Sequence, residues 1–426
     1  MLKYNLYFSF IIFTLGCSNS TENEPKITEA REIFVEEGAK RHAVVIVIDT
    51  LRADALKSAH TPTIDTLAQK GSQAKRAWSS GSWTAPSVIS LMIGKSLREH
   101  GWDFPMPAKM RQKGLSYPPM PTDSQTLAEV LSAEEFTAIG HYANPLLRRE
   151  LGFNRGFDSW SYTSDHRMGR VLKKQLKDLY PEKERYFFYL HLIGPHHPLR
   201  PSGDATLRWN VDKELLSKKR HGLSIKALTV DDAYGVANYN RAYHAVIEDT
   251  DARLAGILEA LQPILDDSVI VLTSDHGEML GEHDQLGHHS WVYEPLVNVP
   301  FIVVNGNEVP ENVNNAVTAD IITSAVQVDH DWQVTLDQQR PLVSQREGKV
   351  AMSQDGRLKG IWDEKLSVFD LLLDPKEEIH LEEKIGELTL LREGYEAQID
   401  EGIITDEAVE SSTDMDEALR SLGYIE

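Results

Sequence analysis

The sequence predicts an α/β fold with a mostly parallel central sheet and a small carboxyl-terminal α+β subdomain. Three observations predict it. Val44-Val45-Ile46-Val47-Ile48 runs into Asp49, and Val269-Ile270-Val271-Leu272 runs through Thr273-Ser274 into Asp275-His276-Gly277. Short, β-branched, almost wholly apolar runs read as central strands buried on both faces. Strand-like runs then alternate with helical patterns along the chain, which implies a sheet covered by helices on both sides. From about residue 330 the texture changes, and the end of the chain is strongly acidic.

The elements follow in order. Thr61 to Ala68 reads as a turn feeding a short helix, with Thr63 as its cap. Thr84-Ala85-Pro86-Ser87 leads into Val88 to Ile93 and is closed by Gly94, the proline-first, glycine-last pattern of a helix beginning beside Thr84. Residues 103–121 are proline-rich and read as a loop over the sheet. Thr126 to Leu131 begins a helix, and Phe136 to Gly140 reads as a strand. Phe187 to Leu192 is another strand, broken at Gly194-Pro195-His196-His197-Pro198. Residues 200–232 are polar and read as an insertion. From Tyr239 to Leu261 the apolar residues share one helical face, delivering the chain to the strand that ends in Asp275. Val299 to Val304 is a further strand. Val350 to Gly360 and Lys365 to Leu372 suggest a hairpin or small sheet, and the remainder reads as an acidic helical tail.

At 426 residues the chain can bury a large core, and its formal net charge of −21 argues against nucleic acid or an anionic membrane surface as the main partner. Residues 1–17 read as a targeting segment. Lys3 precedes a mostly apolar stretch, Leu6 to Leu15, too short to cross a bilayer as a stable helix. The segment stops at Leu15-Gly16-Cys17 and resembles a bacterial lipoprotein signal, in which the cysteine is lipidated. The resemblance implies anchorage through Cys17 to a membrane of the bacterial cell envelope, on its periplasmic or outer face. Cys17 is the sole cysteine, which excludes intramolecular disulfides and any cysteine-based zinc site. Residues 18–40 read as a flexible tether, residues 41–330 as the catalytic domain, and residues 331–426 as the carboxyl-terminal subdomain.

Open α/β sheets bind ligands beyond the carboxyl ends of their strands. Two acids and a histidine delivered there, far apart in sequence, suggest one metal site. Asp49, Asp275 and His276 offer hard oxygens and one imidazole, a set suited to a divalent cation. The plainer alternative for each aspartate is a strand-end acid that caps the next turn.

Four segments converge on this site: Ile48 to Asp54, Ser82-Trp83-Thr84-Ala85-Pro86-Ser87, Gly194-Pro195-His196, and Ser274 to Glu278 followed by Gly287-His288. Their order and spacing resemble the sulfatase family of the alkaline-phosphatase superfamily. Asn144-Pro145, Gly156-Phe157-Asp158 and Tyr293-Glu294 are further landmarks in the same order. The resemblance implies a sulfatase-like sandwich and one metal bridged to the nucleophile, with calcium the usual ion and magnesium, manganese or zinc as alternatives. Many members carry a second aspartate directly after the first. Here Thr50 stands in that place, and Asp54 is a substitute ligand or a helix cap.

The family motif Cys-x-Pro-Ser-Arg, or Ser-x-Pro-Ser-Arg, supplies a formylglycine from its first residue. The matching run here is Thr84-Ala85-Pro86-Ser87-Val88, so no formylglycine is expected, and Val88 replaces the arginine. Thr84 can attack directly as an alkoxide and contribute to the metal site; otherwise it caps the helix. The resemblance implies that His196 contacts the anionic ester group and that His288 is the general acid. His191, on the preceding strand, points to the same end of the sheet. His100, His197, His283 and His289 are read as structural or near the substrate.

These residues predict a lipid-anchored hydrolase of sulfate esters, free or on glycans, with Thr84 as nucleophile. A sulfated threonine lacks the elimination step open to a formylglycine hydrate. Threonine therefore also suits phosphorus, as in a phosphodiesterase, a phosphate or phosphonate ester hydrolase, or a phosphoethanolamine-type transferase. A non-catalytic protein that binds sulfated glycans is the alternative outside enzymology.

Overall fold

The computed structural model describes residues 38–105, 115–179, 184–212, 228–288, 290–337, 340–399 and 409–410. The signal segment with Cys17, residues 18–37 of the tether, His289 and most of the acidic tail lie outside the described residues. Lys40 is already part of the fold, since its backbone N–H donates to Ala325 O.

Seven strands form the main sheet: β1 (His42–Ile48), β2 (Ser72–Gln73), β3 (Phe136–Tyr142), β4 (Ser159–Tyr162), β5 (Arg185–Leu192), β6 (Ser268–Thr273) and β7 (Phe301–Val304). Their order across the sheet is β2-β7-β6-β1-β5-β3-β4. The five strands from β6 to β4 run parallel, and β7 and β2 close one edge antiparallel. β1 is central, and all seven of its residues are buried, as a two-sided apolar run requires.

Successive residues of β1 face opposite layers. Val45 and Val47 pack with α2 (Thr84–Ile93), α3 (Leu127–Ala133) and α6 (Thr318–Ala325). Val44, Ile46 and Ile48 pack with α1 (Pro62–Lys70), α4 (Asp165–Leu179) and α5 (Ala233–Leu265). Each such Val or Ile removed from water stabilises the fold by roughly 1.5–3 kcal/mol.

The expected strands and helices are present among the described residues, with additions such as β2, β4 and α6, and α1 begins at Pro62, so Thr63 lies inside that helix and does not cap it. α5 starts at Ala233, six residues earlier than the apolar face suggested, because the Asp232 side chain accepts from Gly235 N and caps it. α4 escaped the sequence reading because Lys and Arg dilute its apolar stripe, yet Met168, Leu172 and Leu176 are buried at helical spacing. The described part of the segment read as an insertion holds a short helix, Gly203–Arg208.

The carboxyl-terminal region forms an antiparallel meander of β8 (Leu342–Arg346), β9 (Lys349–Ser353), β10 (Leu358–Trp362) and β11 (Leu366–Asp370). It is a four-stranded sheet, the larger of the two forms, hairpin or small sheet, that the sequence suggested. α7 (Ile385–Glu396) covers one face through Tyr395 and Leu391. Leu342, Ala351, Ile361 and Phe369 on the other face pack onto Trp78, Val292 and Leu296 of the main body.

Candidate active site

The parallel register decides what meets at the strand ends. Val47 lies beside His191 on one side and Thr273 on the other, and Tyr142 lies beside His191. The adjacent strands β3, β5, β1 and β6 therefore deliver Asn144, His191, Asp49 and Asp275 to one edge, where ligands of open α/β sheets bind. Thr50 makes the turn possible with a left-handed φ of 57°, uncommon for a β-branched residue. Its N–H donates to Asp275 Oδ1 and its carbonyl accepts from the Tyr243 hydroxyl, which holds the strained turn in place.

Thr84 is the first residue of α2. Its hydroxyl does not cap that helix. Oγ1 accepts from Asn144 Nδ2 at 3.3 Å and lies 3.3 Å from His276 Nε2. His276 Nδ1 lies 2.8 Å from Gly277 O, so Nδ1 carries the proton and Nε2 presents a lone pair to the Thr84 hydroxyl. Asn144 Nδ2 also donates to Asp49 Oδ2 at 2.6 Å. This amide links Thr84 to Asp49, a role that the sequence, where Asn144 is only a landmark, does not reveal.

Asp49, Thr84, His191, Asp275, His276 and His288 are all fully buried. Asp49 Oδ2 also accepts from His191 Nε2 at 3.2 Å, and the Tyr189 hydroxyl lies 3.2 Å from His191 Nδ1. Burial favours a neutral Asp49, but the fields of His196, His191 and His276 and the His191 hydrogen bond outweigh it and hold the carboxyl low. Burial and then the neighbouring Asp49 charge push Asp275 up instead. Asp49 Oδ1 and Asp275 Oδ2 have no hydrogen-bond partner. Two partnerless buried carboxylate oxygens beside imidazole nitrogens are the donor set of a hard divalent cation. Among the described residues, ligand atoms of Asp49, His191 and Asp275 lie within 4.8 Å of one another, and His276 Nε2 is 3.5 Å from Asp275 Oδ2.

The remaining candidates divide. His196 is buried on the turn after β5, stacked on His197 and 5.0 Å from the His288 ring. Asp165 fixes that turn by accepting from Ile193 N and Gly194 N. His288 lies 4.5 Å from the His276 ring, and its Nδ1 meets Glu278 Oε1 at 3.1 Å. Burial lowers the proton affinity of His196 and His276 and raises that of Glu278. Glu278 went unassigned in the sequence because its neighbour His276 explained the motif. Asp54 is neither ligand nor side-chain cap, since Arg52 holds both of its oxygens at 2.7–2.9 Å. His100 bonds Ser90 and Trp102, and His283 stacks on Tyr293 at 3.8 Å.

The Sulfatase family model matches residues 41–328. Arylsulfatase K of Canis lupus familiaris is 33% identical over 86 residues, which is 20% of this chain and 16% of that protein. The low-salt glycan biosynthesis sulfotransferase Agl7 of Haloferax volcanii is 24% identical over 295 residues, 65% of this chain and 56% of that protein. The chain thus spans less than two thirds of either relative. Among solved structures, BT4656 in complex with its substrate D-glucosamine-2-N,6-O-disulfate superimposes with a TM-score of 0.66 at 15% identity, covering 84% of this chain and 97% of that one. The phosphonate monoester hydrolase of Agrobacterium radiobacter gives 0.62 at 15% identity, covering 88% and 100%. These two likenesses establish the fold.

Proposed function

Because the chain belongs to the sulfatase family, we propose that it is a metal-dependent hydrolase of sulfate esters, free or on glycans, with Thr84 as the attacking group. The observation that carries this reading is the position of the Thr84 hydroxyl, fully buried and held between Asn144 Nδ2 and His276 Nε2. Asp49, Asp275 and His276 would hold the cation, calcium by family habit, with His191 and Thr84 beside them. A bound divalent cation would neutralise the paired carboxylates and lower the pKa of the nearby hydroxyl.

The chain's own groups supply the rest. The start of α2 favours negative charge on the Thr84 oxygen, and Asn144 donates to that oxygen and fixes its direction. The Thr84 oxygen, its proton released to solvent beforehand, attacks sulfur in line as an alkoxide, forming one S–O bond as the bond to the leaving oxygen breaks. His196 neighbours the sulfuryl oxygens. His288, oriented by Glu278 through Nδ1, turns Nε2 to the leaving oxygen and protonates it. Water then attacks the sulfated threonine, with the neutral His288 taking its proton, and Thr84 is regenerated.

Threonine also supports a second reading, transfer or hydrolysis at phosphorus. A threonine ester cannot collapse by elimination, so its group must pass to water or another acceptor. Agl7 is named a sulfotransferase and the Agrobacterium neighbour a phosphonate monoester hydrolase. A membrane anchor at Cys17 completes the proposal, and a diacylated amino-terminal cysteine in the mass spectrum of the mature protein tests it.

The decisive assay compares metal-loaded protein, chelator-treated protein and Thr84→Ala on sulfate, phosphate and phosphonate esters. The loaded protein turns over at least one class, and Thr84→Ala loses about a thousandfold or more in kcat. No turnover of any ester, with unchanged glycan binding by the mutant, leaves a binding protein instead.

A further inference from the structure

Outside the site lies a fully buried cation that the proposed chemistry does not use. Arg346 is the last residue of β8, in the carboxyl-terminal sheet, and its side chain exposes no surface. Nη1 donates to Asp103 Oδ1 at 2.9 Å and to Phe104 O at 2.8 Å, and Nη2 donates to Glu347 Oε1 at 3.0 Å. The guanidinium carbon stands 5.1 Å from the centre of the Trp83 ring. Cation–π contacts of this kind strengthen when desolvated.

Trp83 is the residue before Thr84. It is fully buried, has extended backbone, and is the cap residue of α2 without a side-chain capping bond. Its ring is set by side packing against Trp102 and Tyr117 and by the Arg346 fork. The contact is continued by the backbone: Gln345 N donates to Ser80 O at 2.9 Å, and Gly81 forms a parallel bridge with Gln345. Gln345 Nε2 reaches the second oxygen of Asp103. The segment from Ser80 to Thr84 is therefore clamped from outside the main sheet, over the residues that aim the nucleophile.

We infer that Arg346 is a positioning residue for the nucleophile: it fixes Trp83, and through Trp83 the start of α2 and the direction of the Thr84 hydroxyl. The carboxyl-terminal sheet is then part of the catalytic apparatus. A purely structural ion pair would affect stability alone. Arginine suits the positioning task because Nη1 bonds Asp103 and Phe104 O and Nη2 bonds Glu347 while the guanidinium carbon stands over the indole, a spread of contacts that the single ammonium of lysine does not match.

The inference rests on the Thr84 reading, so the test has an arm that does not need turnover. Arg346→Met and Arg346→Lys are compared with Trp83→Phe and the double variant Arg346→Met/Trp83→Phe. On whichever ester the wild type hydrolyses, Arg346→Met lowers kcat by about 10- to 100-fold with KM within about twofold. Arg346→Lys recovers part of that loss, and the double variant is no worse than the poorer single variant. Independently of any substrate, amide exchange of residues 80–88 accelerates in Arg346→Met while that of β1 and β6 does not. If the wild type hydrolyses nothing but this local acceleration appears, the Thr84 reading fails and the positioning of the segment stands. If exchange at residues 80–88 is unchanged in a folded variant, or kcat stays within twofold, the inference is overturned. Should Arg346→Met not fold, Arg346→Lys and Trp83→Phe carry the same two readouts, and normal kcat with normal exchange in both overturns it.

Discussion

Thr84 begins α2, and its hydroxyl turns away from the helix toward Asn144 and His276. A threonine that merely capped the helix would aim its oxygen at the backbone N–H groups of the first turn. The same scale separates His288 from the other histidines. Glu278 Oε1 fixes its Nδ1, and Glu278 itself is fully buried. Replacing that carboxyl weakens the hold on Nδ1 and loosens the ring. Glu278→Gln is expected to lower kcat by about 10- to 100-fold for an alkyl ester, and far less for a 4-nitrophenyl ester, whose leaving group needs no proton. Equal losses on both esters, measured in parallel, would remove His288 from the role of acid.

Elements explain which of these residues the sequence revealed. Asp49, Asp275 and His276 stand directly after apolar runs whose composition marks central strands, so their place at the sheet edge was legible. Asn144 was not, because its reach depends on the register of β3 against β5, which no local pattern encodes. Arg346 was hidden for a related reason: β8 is short, polar at its end, and meets Trp83 only once the meander folds back on the main body. The fold class was legible from alternation, whereas α4 and β8 were not, since their apolar residues are few and interleaved with charge.

The join between meander and main body carries a second buried cluster. Lys359 of β10 has no exposed surface, lies 2.8 Å from Glu377 and 3.3 Å from Glu294, and faces the Trp78 ring at 4.8 Å. Lys359→Met leaves two carboxylates facing each other in the interior, a loss of about 3–5 kcal/mol at neutral pH. Burial first, and then Glu294, already raise Glu377 to about 7 against the pull of Lys359. A group raised in the folded state contributes stability below its unfolded pKa and loses it as pH climbs through the folded value. The penalty of Lys359→Met should therefore be smaller at pH 5 than at pH 8 in urea unfolding, and a larger penalty at pH 5 would refute the assignment.

At the scale of the whole molecule, a net charge of −21 gives no long-range attraction for an anionic ester. Binding must be local, at a site whose carboxylate pair is buried and whose other groups are mostly imidazoles. Shielding from solvent makes each hydrogen bond and charge there count for more. The arrangement brings together residues as far apart in sequence as Asp49 and His288, with Thr84 proposed as the group on which the chemistry turns. Peptide mass spectrometry of metal-loaded protein, quenched during turnover of an ester, tests that most directly. If Thr84 is the nucleophile, a sulfuryl or phosphoryl group appears on the peptide that contains it and is absent from Thr84→Ala. Turnover undiminished in Thr84→Ala, or an adduct on any other residue, would contradict it.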